Sequence, residues 1–169
     1  MYRRVLSFLS HGPVILTSFS LMLLIGAGFS FVMGAIDGPL LDMIFTGEAA
    51  MTRLGELRPD QRMTHFYATV FLDTLYPLAY GGFLIGWLAR FGGPCRGYTV
   101  LPAIVTVLAD FSENIVQAVA LAGAAPEILA AKTLLTPLKM TGLGSAFLLG
   151  LSLALIHYLL VYRKTRKTL

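Results

Sequence analysis

Three shortages define this sequence before any motif does. Cysteine is nearly missing: Cys95 is the only one in 169 residues, which excludes an intrachain disulfide and a cysteine-based metal site. Charge is scarce, at 13% of residues, where soluble domains carry roughly 25%. The apolar runs are poorer still, and the stretch 13–36 holds no charged residue at all. What fills the space is hydrophobic, 56% of the chain, with a mean hydropathy of +0.75. So much apolar surface is unsuited to water. The expected fold is all-α, an integral membrane bundle of four helices forming a single domain over 1–169.

About 20 mostly apolar residues carry a helix across a bilayer, and four stretches reach that length. They run over about 13–36, 66–89, 98–122 and 138–162. The second contains one charge, Asp73, the third contains Asp110 and Glu113, and Lys139 opens the fourth. Pro13, Pro102 and Pro137 each fall in or near a first turn, where a missing N–H costs nothing. Thr136 reads as the N-cap of the fourth helix. Arg3 and Arg4 precede the first run as in a signal peptide, but the run is too long for one and a span is expected.

The net charge of +4 does not point to nucleic acid, because the bases flank the apolar runs. Arg3, Arg4, Arg90, Arg96, Arg163, Lys164, Arg166 and Lys167 fall on one side with no acid among them. Arg53, Arg58, Arg62, Lys132 and Lys139 fall on the other, against Asp37, Asp42, Glu48, Glu56, Asp60 and Glu127. The positive-inside rule then places both termini in the cytoplasm, with the bacterial inner membrane as the expected location. The outer connection 37–65 is long. Its patch Leu40, Leu41, Met43, Ile44 and Phe45 is expected to form a short interfacial helix, able to act as a lid. In the second outer connection, 123–137, Pro126-Glu127 opens a short helix.

Charges within a bilayer cost roughly 2.5–3.5 kcal/mol each on insertion scales, so each needs a reason to be there. Thr69, Asp73, Tyr76 and Tyr80 follow three- and four-residue spacing and share a helix face. Thr106, Asp110, Glu113, Asn114 and Gln117 make a second such stripe, and Lys139 leads a face lined by Gly142, Ala146 and Gly150. Pro77 removes the hydrogen bond to the carbonyl of Asp73, freeing a backbone acceptor beside the carboxylate. One polar cavity is expected, with Asp73, Asp110 and Glu113 as acid–base residues and Tyr76, Tyr80, Asn114, Gln117, Lys139 and His65 as ligand-binding residues. Three acids facing one lysine leave excess negative charge, so a carboxyl is expected to carry a proton or meet a cation. The blander alternative is a buried ion-pair network that only sets helix register.

Other features carry less. His65, at the outer start of the second span, reads as solvated interface or as overhanging the cavity. His11 and His157 lie on different helices toward the cytoplasmic side, a weak case for haem ligation, and the sequence assigns no cofactor and no metal. Gly82 and Gly86 make a G-x-x-x-G step that suggests close packing.

The layout resembles the EXPERA family, which includes emopamil-binding sterol isomerases and sigma-2 receptor-like proteins. The likeness rests on four spans, cytoplasmic termini, a long outer first loop, Asp73 followed by Pro77, and Leu101-Pro102-Ala103-Ile104 opening the third span. It does not extend to that family's catalytic His/Glu pairing, and Asp110-x-x-Glu113-Asn114 is not one of its motifs. The resemblance implies lipid or sterol-like ligands. The expected partner is a membrane lipid or other amphiphilic small molecule, bound or converted by the acids. Two alternatives stand beside it: a proton- or cation-transport unit, and an accessory subunit of a larger membrane complex or homo-oligomer. Polar residues confined to one half of the bundle favour a pocket over a pore.

Overall fold

The structure is a computed structural model describing residues 2–166. Met1 and residues 167–169, with Lys167 of the basic tail, lie outside the described residues, as do the side chains of Tyr162, Lys164, Thr165 and Arg166. The described residues are helical apart from short connections, without a strand. A short helix α1 (Tyr2–Leu9) leads into α2 (Gly12–Ala35), and a single 3-10 turn (Leu41–Met43) precedes α3 (Gly47–Glu56). Then α4 (Pro59–Tyr67), a π-helical turn (Ala68–Leu72) and α5 (Asp73–Phe91) run on as one rod. The chain continues through α6 (Arg96–Thr99), α7 (Leu101–Leu121), a 3-10 stretch (Pro126–Ala131) and α8 (Lys132–Arg166). Four segments are long and apolar enough to cross a membrane: Gly12–Ala35, Pro59–Phe91, Gly93–Leu121 and Pro126–Val161.

Two boundaries differ from the sequence expectation. The second long helix starts at Pro59 instead of near 66, because Pro59 occupies a first-turn position and Gln61 Oε1 accepts from the Arg58 backbone N–H at 3.1 Å. The fourth starts at Lys132, so Pro137 lies inside α8 and Thr136 is not a cap. Its hydroxyl instead donates to Glu113 Oε1 at 2.6 Å. The patch 40–45 is likewise not a helix on the surface. Leu40 and Leu41 are buried, while Met43 and Phe45 point outward. The helix in this connection is α3, capped by Thr46 Oγ1, which accepts from the Ala49 N–H at 3.3 Å.

Two apolar clusters hold the bundle. At one end Phe29, Ile36, Leu40, Leu41, Leu54, Leu121 and Leu129 pack together. At the other, Leu6, Leu84, Leu88, Val100 and Ala103 do so. Along α7 the stripe from Thr106 to Gln117 lies between them. Two arginines close the first end by capping helix C-termini, where free carbonyls and the helix dipole favour a cation. Arg53 Nη2 donates to Ile36 O at 2.8 Å, and Arg62 donates to Leu121 O at 2.8 Å and Ala120 O at 2.6 Å.

The central rod packs against α1 and α2 through its glycines. A Cβ on Gly82 would lie 2.9 Å from Ser18 Oγ, and one on Gly86 would lie 2.4 Å from the carbonyl oxygen of Leu9. The Ser18 side chain can turn away; the Leu9 backbone cannot. Gly144, by contrast, faces open space. Overpacking typically costs about 1–3 kcal/mol, so Gly86→Ala is expected to lower the melting temperature in detergent by several degrees. Gly144→Ala is expected to leave it unchanged or slightly raised. Equal melting of both variants would show that the α1–α5 approach is not tight.

Candidate functional site

The polar centre is built on Glu113, whose side chain is fully buried on α7. Its Oε1 accepts from Lys132 Nζ and from Thr136 Oγ1, and its Oε2 lies 2.8 Å from Lys139 Nζ. Lys132, Thr136 and Lys139 stand four and three residues apart on α8, which puts them on one face. That face meets the α7 stripe. Lys139 then reaches two more carboxylates, Asp110 Oδ1 at 3.2 Å and Asp42 Oδ1 at 2.5 Å. Asp110 Oδ2 accepts from the Tyr80 hydroxyl at 2.6 Å. Burying charge in a low-dielectric interior is costly unless it is paired and hydrogen-bonded, and these groups meet that condition.

Asp73 does not. It is 4% exposed, and none of the described side chains hydrogen-bonds or ion-pairs its carboxylate. Its backbone carbonyl is the one that Pro77 leaves without a helical partner, and Asn114 Nδ2 donates to it at 2.7 Å. Carboxylate oxygens of Asp42, Asp73 and Asp110 lie within 4.8 Å of one another. Just before Asp73 the π-helical turn adds slack to the rod, and Thr74 Oγ1 donates back to Thr69 O at 3.1 Å. Such turns and breaks are tolerated where side chains resatisfy the backbone.

A cavity of about 370 Å³ opens onto this centre. Tyr80, Leu84, Asp110 and Lys139 form its buried end, with Asp42 beside them. Phe19, Met140 and Phe147 stand at its exposed mouth, and Met22, Tyr76, Phe83 and Leu143 line the wall. Tyr76 packs edge-on against both Phe29 and Tyr80, with ring centroids 5.3 and 5.4 Å apart. Of the residues singled out from the sequence, Tyr76, Tyr80, Asp110 and Lys139 line the cavity. Asp73, Glu113, Asn114, Gln117 and His65 are not among its lining residues. Gln117 is fully buried, and neither atom of its amide has a hydrogen-bond partner among the described residues.

His65 is a correction to the solvated interface expected for it. It is 1% exposed, and its Nε2 accepts from the Leu41 backbone N–H at 2.8 Å, with Nδ1 3.2 Å from Thr69 Oγ1. The ring ties the turn carrying Asp42 to the central rod. The other histidines have local roles: His11 Nδ1 lies 2.7 Å from Ser7 O, and the His157 ring packs on Phe91.

Three members of the centre escaped the sequence reading: Asp42, Lys132 and Thr136. A signal existed for two. Lys132, Thr136 and Lys139 keep helical spacing, but taking Pro137 as a helix start hid it. Asp42 gave no local signal, because its place depends on a turn held by His65 from 24 residues away. No family model matches this chain, and no curated protein or solved structure matches it either.

The pairings rank three charge-neutralising variants. Glu113→Gln leaves buried Lys132 with no carboxylate partner among the described residues and takes one of three from Lys139, and breaking a buried pair typically costs about 3–5 kcal/mol. Asp110→Asn costs less, because Lys139 keeps Asp42 and Glu113. Asp73→Asn removes no partner and relieves repulsion from Asp42 and Asp110, so stability should hold or rise. Thermal melting in detergent with chelator present checks the order. A Glu113→Gln variant as stable as Asp73→Asn would contradict the pairing described here.

Proposed function

We propose that this chain is a membrane-embedded pocket protein that binds, and through its acids protonates or deprotonates, a small amphiphile such as an isoprenoid or sterol-like lipid. The observation that supports this reading is the composition of the cavity along its length. Aromatic and aliphatic side chains line its mouth and wall, and a hydrogen-bonded Tyr80–Asp110–Lys139 group closes its inner end. Apolar walls with a few converging polar groups, at a volume of about 300–1,000 Å³, are what small-molecule sites look like.

The mouth residues come from α2 (Phe19) and α8 (Met140, Phe147), two helices that are mostly exposed along their length. In a bilayer those faces meet lipid, so the opening between them is a lateral entrance for a ligand already dissolved in the membrane. The tail would lie along Phe83, Leu143 and Phe147 and the head would meet Tyr80 and Asp110. Asp110 lies within hydrogen-bond reach of a donor and a cation, the setting in which a carboxyl exchanges a proton with a bound group. Glu113, behind Lys139, then acts by positioning the ammonium, and Asp73 acts from outside the cavity wall. The EXPERA-like layout agrees with ligands of this class. A conducting pore is disfavoured, because the apolar cluster of Leu6, Leu84, Leu88, Val100 and Ala103 fills the bundle at that end.

In the proposed orientation both termini are cytoplasmic, in the bacterial inner membrane, and α3 is external. Reporters fused after Leu169 or within 91–97 should then read as cytoplasmic, and one inserted near Glu56 as external. A cytoplasmic signal near Glu56 would reverse the orientation. The pocket itself is tested by native mass spectrometry of purified protein incubated with a defined isoprenoid alcohol. Wild type is expected to retain the lipid, while Leu143→Trp, which fills the cavity, loses at least about tenfold in apparent affinity with unchanged melting. Equal retention by both would overturn the pocket reading.

A further inference from the structure

Counting charge at the polar centre leaves a remainder. Asp42, Asp73, Asp110 and Glu113 bring four carboxylates together with only two ammonium groups, Lys132 and Lys139. Glu113 is matched by both lysines, and Asp42 and Asp110 share Lys139. Among the described residues Asp73 is matched by nothing, although it is 4% exposed, and its carboxylate is aimed at those of Asp42 and Asp110. An uncompensated carboxylate in such a place must take up a proton or meet a counter-charge, and a cluster of three carboxylates offers a cation ready ligands.

The spacing says what kind of charge fits. Three oxygens within 4.8 Å of one another stand close to the spacing a calcium ion imposes, since three oxygens evenly set around an ion at about 2.3–2.6 Å lie at most roughly 4.0–4.5 Å apart, and a closure of a few tenths of an ångström seats it. Magnesium holds oxygens nearer, at about 2.0–2.1 Å, which would need these three oxygens drawn to roughly 3.6 Å apart or less. From these residues we infer a divalent cation site, calcium by preference, formed by Asp73, Asp42 and Asp110. One divalent ion balances the four carboxylates against the two lysines. Both oxygens of Asp110 already accept hydrogen bonds, from Lys139 and Tyr80, but a carboxylate oxygen has more than one lone pair. Lys139 and the ion therefore share Asp42 and Asp110, and Asp73 belongs to the ion alone.

The site joins three separate elements: the 41–43 turn through Asp42, the start of α5 through Asp73, and the middle of α7 through Asp110. Binding would lock the turn, already held by His65, over the polar end of the cavity. Asp73 lies outside the cavity lining, whereas Asp42 and Asp110 also line the cavity, so the ion site shares two residues with the amphiphile reading and the two are tested separately.

The test uses full-length protein in detergent, stripped with chelator and titrated at constant ionic strength with calcium, magnesium or sodium. A ligand at about 100 times its dissociation constant stabilises enough to raise melting by roughly 5 °C or more in a protein of this size. That rise is expected with calcium for wild type, for Leu143→Trp and for the exposed-loop control Glu48→Gln, and it is expected to vanish in Asp73→Asn. Terbium serves as a second probe that does not rely on stability. Its luminescence should be sensitised by the tyrosines at the site, be displaced by calcium, and fall at least tenfold in Asp73→Asn. No calcium response, an equal response to sodium or magnesium, or an undiminished response in Asp73→Asn would each overturn the inference. Loss of lipid retention with calcium binding intact would count against the pocket alone.

Discussion

The carboxylate of Glu113 is the constraint on which the rest of the centre depends. It is an acceptor shared by Lys132, Thr136 and Lys139 of α8, and without it Lys132 would sit in the interior with no carboxylate partner among the described residues. Replacing such a cluster with apolar side chains is often neutral or stabilising in other proteins, so its presence is weak evidence for stability alone. What it supplies is register. With Lys132 and Lys139 anchored almost two turns apart, α8 cannot slide along α7, and Lys139 is held where it also touches Asp110 and Asp42. The cavity inherits its polar end from that register.

The central rod contributes through its defects. Pro77 deprives the Asp73 carbonyl of its helical donor, and the side chain of Asn114 replaces it. A helix fault is thereby converted into a contact between α5 and α7 beside the acids. The connection that follows α2 behaves similarly. Its apolar residues Leu40 and Leu41 enter the core and carry Asp42 inward, where His65 receives the Leu41 N–H. Segments that looked like surface loop are thus part of the interior.

Much of this was legible in the sequence, and the reasons are physical. Four long apolar runs and their helical character follow from hydropathy and length, and the α7 stripe follows from three- and four-residue spacing. The release of the Asp73 carbonyl follows from one proline. What was not legible depended on longer-range choices. Pro137 supports a helix start equally well as an interior position, and only the pairing of Lys132 and Thr136 with Glu113 decides between them. Lys132 was counted as a loop charge for the same reason. Asp42 and His65 are set by a turn folding back across the bundle, a contact with no periodicity. Arg53 and Arg62 looked like outer-loop charges, whereas both cap helix ends.

The π-helical turn over Ala68–Leu72 fixes an angle as well as a shape. Each residue advances an α-helix by about 100°, so one residue of slack decides which way everything before it points relative to everything after. His65 and Thr69 face the turn that carries Asp42, Asp73 lies beside both that turn and α7, and Tyr80 meets Asp110 of α7. Without that residue of slack, His65 would be turned by about a quarter of a revolution relative to Tyr80. The turn therefore works as a gear between the two ends of the rod, letting one helix address both the Asp42 turn and α7. Any change in its length would be felt as a rotation of the histidine latch away from the acids, with no residue of either group altered.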